Sequence, residues 1–310
     1  MKTLKIGQLN FWPSKDDEFG KYRANKLISY LNKYSSKYKY EYDDCINSKC
    51  DIVLYSLYGD INTLNKCKGN PIFIYWTDEL SCRGFNWDDN NNIDTYSYYK
   101  KNNLSISFYN DSDDNCYFPY LFFDGYYHII NSYNNRSYSF NKSKFCTFCA
   151  SNEHLYNAEY RTSIVKYISN NYKNITCCGK VLNNTNGKYL PWDRNEAIIY
   201  HNEYKFNLCF ENESSNNNPK YITEKIGNAF MYNTIPIYWG CENINEIFNE
   251  NAFINCNGLS NEEIIQKIKE IDENNSLYND MMHEYPFKDK TINYEEFFFE
   301  KICKFIENNI

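Results

Sequence analysis

The chain has 310 residues, 42% of them hydrophobic and 19% aromatic with 32 tyrosines, which is apolar material enough for about two domains of ordinary size. Its formal net charge of −7 argues against nucleic acid or another polyanion as the main partner. No apolar run approaches the roughly 20 residues a membrane span needs, and the apolar run at the start is too short for a signal peptide, so the reading is a soluble, cytoplasmic protein with no membrane span.

Leu4 to Leu9 reads as a first strand, closed by Phe11-Trp12-Pro13. Ala24, Leu27, Ile28 and Leu31 then give the next segment one apolar helical face. Asp51–Tyr55 and Pro71–Trp76 are short apolar runs of the kind that form buried strands, and Asn103–Phe108 reads as another. Strands alternating with helices predict an α/β first domain with a largely parallel sheet. The polar stretch Asn131–Lys144 is the candidate linker, which sets the domain boundary near residue 140. Phe145–Ala150 opens the second domain as a strand. A helix carrying Arg161, Ile164, Val165 and Ile168 follows, and then a strand around Ile175–Cys178. Ala252–Asn255 is an expected edge strand, and Glu262–Ile271 a helix with acidic residues in its first turn. Tyr294–Asn308 closes the series as a helix with Phe298, Ile302, Phe305 and Ile306 on one face.

Thirteen cysteines without a secretion signal read as free thiols, not as a disulfide framework. Cys146-Thr147-Phe148-Cys149 is a C-x-x-C, and Cys177-Cys178 would complete four zinc ligands only without the usual two-residue spacing. Both pairs lie in apolar, strand-like runs and are read as buried thiols.

The stretch Tyr204–Gly240 organises the chain. Phe206, Leu208 and Phe210 alternate as in a strand, and an Asn/Ser-rich loop follows. Ile222, Ile226, Ala229 and Phe230 then fall on one helical face, and Ile235–Trp239 reads as a buried strand stopped by Gly240. This βαβ unit gathers Glu211, Asn212, Tyr221, Glu224 and Lys225 at the carboxyl edge of a sheet, where open α/β sheets bind ligands. The helix start suits a phosphate, Lys225 adds a full charge, and Glu224 can accept hydrogen bonds from sugar hydroxyls. The physical reading is a nucleotide or phosphorylated ligand.

The series Phe206-Asn-Leu-Cys-Phe-Glu-Asn212, Tyr221-Ile-Thr-Glu-Lys225 and Thr234-Ile-Pro-Ile-Tyr-Trp-Gly240 resembles the signature of the α-1,3/4-fucosyltransferases, glycosyltransferase family 10, nearest to the bacterial Lewis-antigen-type members. The resemblance implies an α/β fold of the GT-B class, with two Rossmann-like domains facing a cleft. Residues 1–140, joined by a returning C-terminal helix at 292–310, would bind the acceptor, and residues 141–291 would bind GDP-fucose. It implies inverting transfer of L-fucose from GDP-fucose to an oligosaccharide acceptor with GlcNAc, α-1,3 ahead of α-1,4. Tyr221, Glu224, Lys225 and Arg161 match donor-binding positions, while Glu211 and Asn212 are donor contacts on position alone. Tyr75–Asn86 resembles the family stretch that carries the catalytic base, which in this register falls on Glu79, with Asp78 as rival. No cofactor and no bound metal are expected, because enzymes of this class use protein cations. Asp111-Ser112-Asp113 is a D-x-D, the metal signature of the other large glycosyltransferase class, but it reads as a solvated loop. Two alternatives stand beside this reading: a GT-B enzyme using another nucleotide sugar, and an inactive glycan-binding descendant.

Overall fold

In the computed structural model, which describes residues 1–11, 17–57, 59–77, 104–136, 142–151, 158–190, 194–212 and 220–310, the chain opens with strand β1 (Lys2–Leu9). Helix α1 (Asp17–Tyr34) crosses to β2 (Tyr38–Tyr42), and β3 (Ile52–Tyr55), β4 (Ile72–Trp76), β5 (Leu104–Ser107) and β6 (Asn115–Tyr117) follow. These strands form one sheet in the order β2-β1-β3-β4-β5-β6, with every pairing parallel. All four residues of β3 are buried, as expected for a central parallel strand covered on both faces. Strand β2 is absent from the sequence reading. Its pattern Tyr-Lys-Tyr-Glu-Tyr offers only Tyr40 to the core, which an edge position tolerates.

The chain divides into two compact units, Met1–Pro119 with Tyr294–Ile310, and Tyr120–Asn293. The first unit therefore takes its last helix, Tyr294–Asn309, from the far end of the sequence, as expected for the returning helix. Phe299 of that helix stacks on Tyr30 of α1 with ring centroids 4.1 Å apart, and Phe118 meets the edges of Phe298 and Phe299 at 6.1 and 5.4 Å. Glu295 is buried and accepts from Lys26 at 2.8 Å and from the Tyr30 hydroxyl at 3.0 Å. Asp111 accepts from the Tyr117 amide at 2.9 Å and pairs with Lys301 at 2.6 Å.

The second unit begins with α2 (Gly125–Asn134) and continues through β7 (Lys144–Phe148), α3 (Ala158–Asn171), β8 (Thr176–Cys177), α4 (Arg194–His201) and β9 (Tyr204–Phe210). Helix α5 (Glu224–Met231), β10 (Ile235–Trp239), β11 (Ile254–Asn255), α6 (Asn261–Asp272) and α7 (Asn275–His283) complete it. Its sheet runs β11-β10-β9-β7-β8, all parallel, with Phe206 opposite Ile235 and Phe210 opposite Trp239. The βαβ unit read from the changing period is present, and β11 is the expected edge strand. Phe148, Ile164, Ile168, Phe206, Leu208, Ile237, Ile264 and Ile268 are buried together in one core. Ser260 and Glu263 close a capping box that sets the start of α6.

The two units separate at Pro119–Tyr120, ahead of α2, whereas the sequence reading kept residues up to 140 with the first domain. The reason is packing within the second unit. Helix α2 lies against α5, where a Cβ on Gly227 would come within 3.2 Å of Ile129 Cδ1, and Ser132 donates to the Met231 carbonyl at 2.9 Å. Among the described residues, no helix is long and apolar enough to cross a membrane.

His201, at the end of α4, is almost wholly buried. Its Nδ1 shares a hydrogen bond with the Thr147 hydroxyl at 3.0 Å, and its ring stacks on Tyr232 with centroids 4.3 Å apart. Burial, with the nearby Lys142 charge, pushes its pKa down from 6.5 to about 4. The unfolded chain therefore takes up this proton first as pH falls. Stability is complete above pH 6.5 and is lost as pH falls toward 4. Urea unfolding at pH 8 and pH 5 should show wild type losing about 2 kcal/mol more than His201→Gln, and equal losses would rule out a buried neutral imidazole.

Candidate active site

The carboxyl end of β9 and the start of α5 meet at Glu211. Its amide donates to the Trp239 carbonyl at 2.9 Å, adding one rung to the β9–β10 ladder. Its side chain is fully buried. One carboxylate oxygen accepts from the Thr223 amide at 2.9 Å, and the other from the Thr223 hydroxyl at 2.7 Å. The Lys225 ammonium stands 3.2 Å from that second oxygen and donates to the Thr223 hydroxyl oxygen at 2.9 Å. Gly240 leaves the room this requires. Its φ of +154° disfavours other residues, and a Cβ there would lie 2.5 Å from Glu211 Cγ.

Thr223 is the N-cap residue of α5, yet its side chain makes no capping bond to the helix. Its hydroxyl is engaged by Glu211 instead, so the first-turn amides of α5 keep their capacity for an outside acceptor. Burial pushes the Glu211 carboxyl above its usual range, against the pull of Lys225 and of the two Thr223 bonds. Burial also works against the charge on Lys225, but Glu211 and Glu224 outweigh it and hold the ammonium above its ordinary pKa. Lys225 is thus a fixed cation, with about a fifth of its side chain (21%) reaching solvent.

Arg161 lies in the first turns of α3, is buried, and donates to Asn212 Oδ1 at 2.8 Å. Asn212 directly follows Glu211, the partner of Lys225, so both cations are held by adjacent residues at the end of β9. Glu224 is half exposed and its carboxylate lies 3.7 Å from Lys225, while Tyr221 is buried. The fold thus brings Glu211, Asn212, Tyr221, Glu224, Lys225 and Arg161 to the carboxyl edge of one sheet. Glu211 differs from its expected part, because both its oxygens serve Thr223 and Lys225. Glu79 and Asp78 lie outside the described residues. Two features escaped the sequence reading. Thr223 links Glu211 to the helix start, and Tyr160, next to Arg161, packs against Phe210 at 5.8 Å and Trp239 at 4.7 Å. The run Thr223-Glu224-Lys225 was the available signal for the first. Nothing in the sequence pattern marked the second.

A profile described as glycosyltransferase family 10 (fucosyltransferase), C-terminal part, matches residues 139–308, more than half of the chain and the whole of this cluster. The chain belongs to glycosyltransferase family 10. It is 36% identical over 170 residues to the alpha-(1,3)-fucosyltransferase FucT of Helicobacter pylori, a match covering 54% of this chain and 33% of that protein. It is 33% identical over 102 residues to 4-galactosyl-N-acetylglucosaminide 3-alpha-L-fucosyltransferase 9 of Mus musculus, covering 32% of this chain and 27% of that one. The chain thus spans a third or less of these relatives' own lengths. A crystal structure of an alpha1,3-fucosyltransferase with GDP-fucose superposes with a TM-score of 0.68 at 23% identity, over 99% of this chain and 90% of that chain. The two parallel α/β sheets are accordingly of the GT-B type.

Family membership does not itself say what Glu211 does, and a charge-pair cycle does. Glu211→Gln keeps the shape but leaves Lys225 with no buried counter-charge, and should lower unfolding stability in urea by about 2–3 kcal/mol. Adding Lys225→Met should restore most of that loss, since the stranded charge is gone. Additive losses in the double variant would show that the two residues do not act as a pair.

Proposed function

We propose that this family 10 member transfers L-fucose from GDP-fucose, with inversion at the anomeric carbon, to a hydroxyl of a GlcNAc-containing oligosaccharide in α-1,3 linkage. The observation that carries this reading is Lys225, a cation fixed by a buried carboxylate at the start of α5, with Arg161 in the same neighbourhood. As the bond to fucose breaks, negative charge grows on the departing diphosphate. Fixed cations and helix-start amides stabilise that charge without having to reorganise. Glu224, half exposed in the same turn, would accept hydrogen bonds from sugar hydroxyls.

The relatives' names support the donor and the linkage. The Helicobacter pylori protein is an alpha-(1,3)-fucosyltransferase, the mouse protein a 3-alpha-L-fucosyltransferase of 4-galactosyl-N-acetylglucosaminide, and the superposed structure holds GDP-fucose. In the proposed reaction Glu79 takes the proton from the acceptor hydroxyl. The acceptor oxygen attacks the anomeric carbon from the face opposite GDP, and GDP leaves with the electron pair. No metal ion takes part. Asp111, the first acid of the D-x-D, is already engaged by the Tyr117 amide and Lys301.

Incubation with GDP-fucose, or with other nucleotide sugars, and a panel of type 1 and type 2 disaccharides tests the whole reading. A fucosylated product only from GDP-fucose is expected, and product from another donor, or none, overturns it. Lys225→Ala should weaken GDP binding about 10–100-fold in calorimetry, the usual worth of a hydrogen bond to a charged group. Unchanged affinity in the folded variant would remove Lys225 from the site. Glu79→Gln should lower kcat by roughly 10²–10⁴ with donor affinity unchanged, whereas a near-normal kcat would pass the role to Asp78. EDTA should leave turnover intact, and a loss restored by manganese would put a metal into the mechanism.

A further inference from the structure

The C-x-x-C motif and the Cys177-Cys178 pair have no part in the donor chemistry, and the fold gives them different partners from those their spacing implies. Strands β7 and β8 run parallel, with Thr147 opposite Thr176 and Phe148 opposite Cys177. The Cys178 amide donates to the Phe148 carbonyl at 3.0 Å, which carries the register on and sets Cys149 opposite Cys178. Strand alternation sends Phe148 and Cys177 into the apolar core and Cys149 and Cys178 to the other face. Cys146 belongs to the core side, so the two cysteines of the motif point away from each other. The backbones stay close beyond the pair: the Val181 amide donates to the Ala150 carbonyl at 3.0 Å, and a Cβ on Gly179 would meet the Ala150 oxygen at 2.3 Å. Cys149 is exposed, contrary to the sequence reading, and Cys178 is buried beneath it.

We propose that Cys149 and Cys178 form a thiol–disulfide modification site, oxidised reversibly by a small disulfide of the glutathione class. Residues opposed on neighbouring strands have Cα atoms about 5 Å apart. That lies within the roughly 4.4–6.8 Å a disulfide spans. The shared register puts both side chains on the same face of the sheet, with the Cys178 thiol donating to the Phe148 carbonyl at 3.6 Å. Cys149 is the attacking sulfur, because it is exposed and the neighbouring Cys178 holds its thiol below the usual range, while Cys178 is itself pushed up.

The Cys149 thiolate attacks one sulfur of the small disulfide, forming a mixed disulfide and releasing one thiolate. Cys178 passes its proton to solvent, its sulfur attacks the Cys149 sulfur, and the second small thiol leaves. The protein loses two hydrogens with their electrons, and the small disulfide is reduced to two thiols. Excess small thiol runs the exchange backward. A second thiol contact, Cys45 with Cys67, serves as an internal comparison. Burial raises both of those thiols, so neither is a ready nucleophile.

The test exposes the reduced protein to oxidised glutathione, alkylates the remaining thiols and maps peptides by mass spectrometry without reduction. A Cys149–Cys178 cross-link, removed by dithiothreitol and formed ahead of any Cys45–Cys67 link, is expected. Cys178→Ser should instead accumulate glutathione on Cys149, because no resolving thiol remains, while Cys149→Ser should leave Cys178 unmodified. The proposal is overturned if wild type keeps both thiols alkylatable, holds a stable adduct on Cys149, or links Cys149 to Cys146. None of these readouts depends on sugar transfer.

Discussion

A single buried carboxylate determines how the second unit presents its functional edge. Glu211 follows β9, donates its amide to the Trp239 carbonyl of β10, and accepts from both donors of Thr223 at the start of α5. It therefore joins three consecutive elements of the βαβ unit at one point. A carboxylate without water is costly unless its charge and lone pairs are satisfied. Here Thr223 supplies the hydrogen bonds and Lys225 the counter-charge, so the cation stays where burial demands it. Replacing Lys225 by a neutral residue would leave Glu211 to neutralise by binding a proton, and losing Glu211 would likewise let burial draw the Lys225 pKa down.

The rest of the site follows from that arrangement. Since Thr223 turns toward Glu211, the helix start is left open to an outside acceptor, and the dipole of α5 adds to the charge of Lys225. Arg161 comes from a different helix and reaches the same edge through Asn212, the residue after Glu211. Two short polar contacts thus bring two cations, one from α3 and one from α5, to the end of a strand that closes on Leu208, Cys209 and Phe210.

Much of this was legible in the residues. The shift from alternation at Phe206, Leu208 and Phe210 to helical spacing at Ile222, Ile226, Ala229 and Phe230 marked the βαβ unit, because buried elements must repeat their apolar face. Helix α2 was not legible. Its sequence Gly-Tyr-Tyr-His-Ile-Ile-Asn-Ser-Tyr-Asn buries only Tyr126 and Ile129, so its polar end looks like a linker. Lys225 and Arg161 were found by motif, whereas the anchoring task of Glu211 depends on space left by Gly240, some thirty residues away, which no local pattern reports. Cys149 was read as buried because its run is apolar. It is exposed because strand alternation turns it away from the core that takes Phe148 and Ala150.

The discontinuous first unit has a consequence for the order of assembly on the ribosome. Strands β1 to β6 emerge first, but Tyr30 and Phe118 lack Phe299, and Lys26 lacks Glu295, until the whole of Tyr120–Asn293 has been synthesised. The second unit is contiguous and can close its own core as it emerges. The nascent first unit must meanwhile wait with part of its aromatic surface open, in the state that chaperones recognise. The later-made unit is thus placed to finish first, and the N-terminal half becomes native only when the final helix arrives.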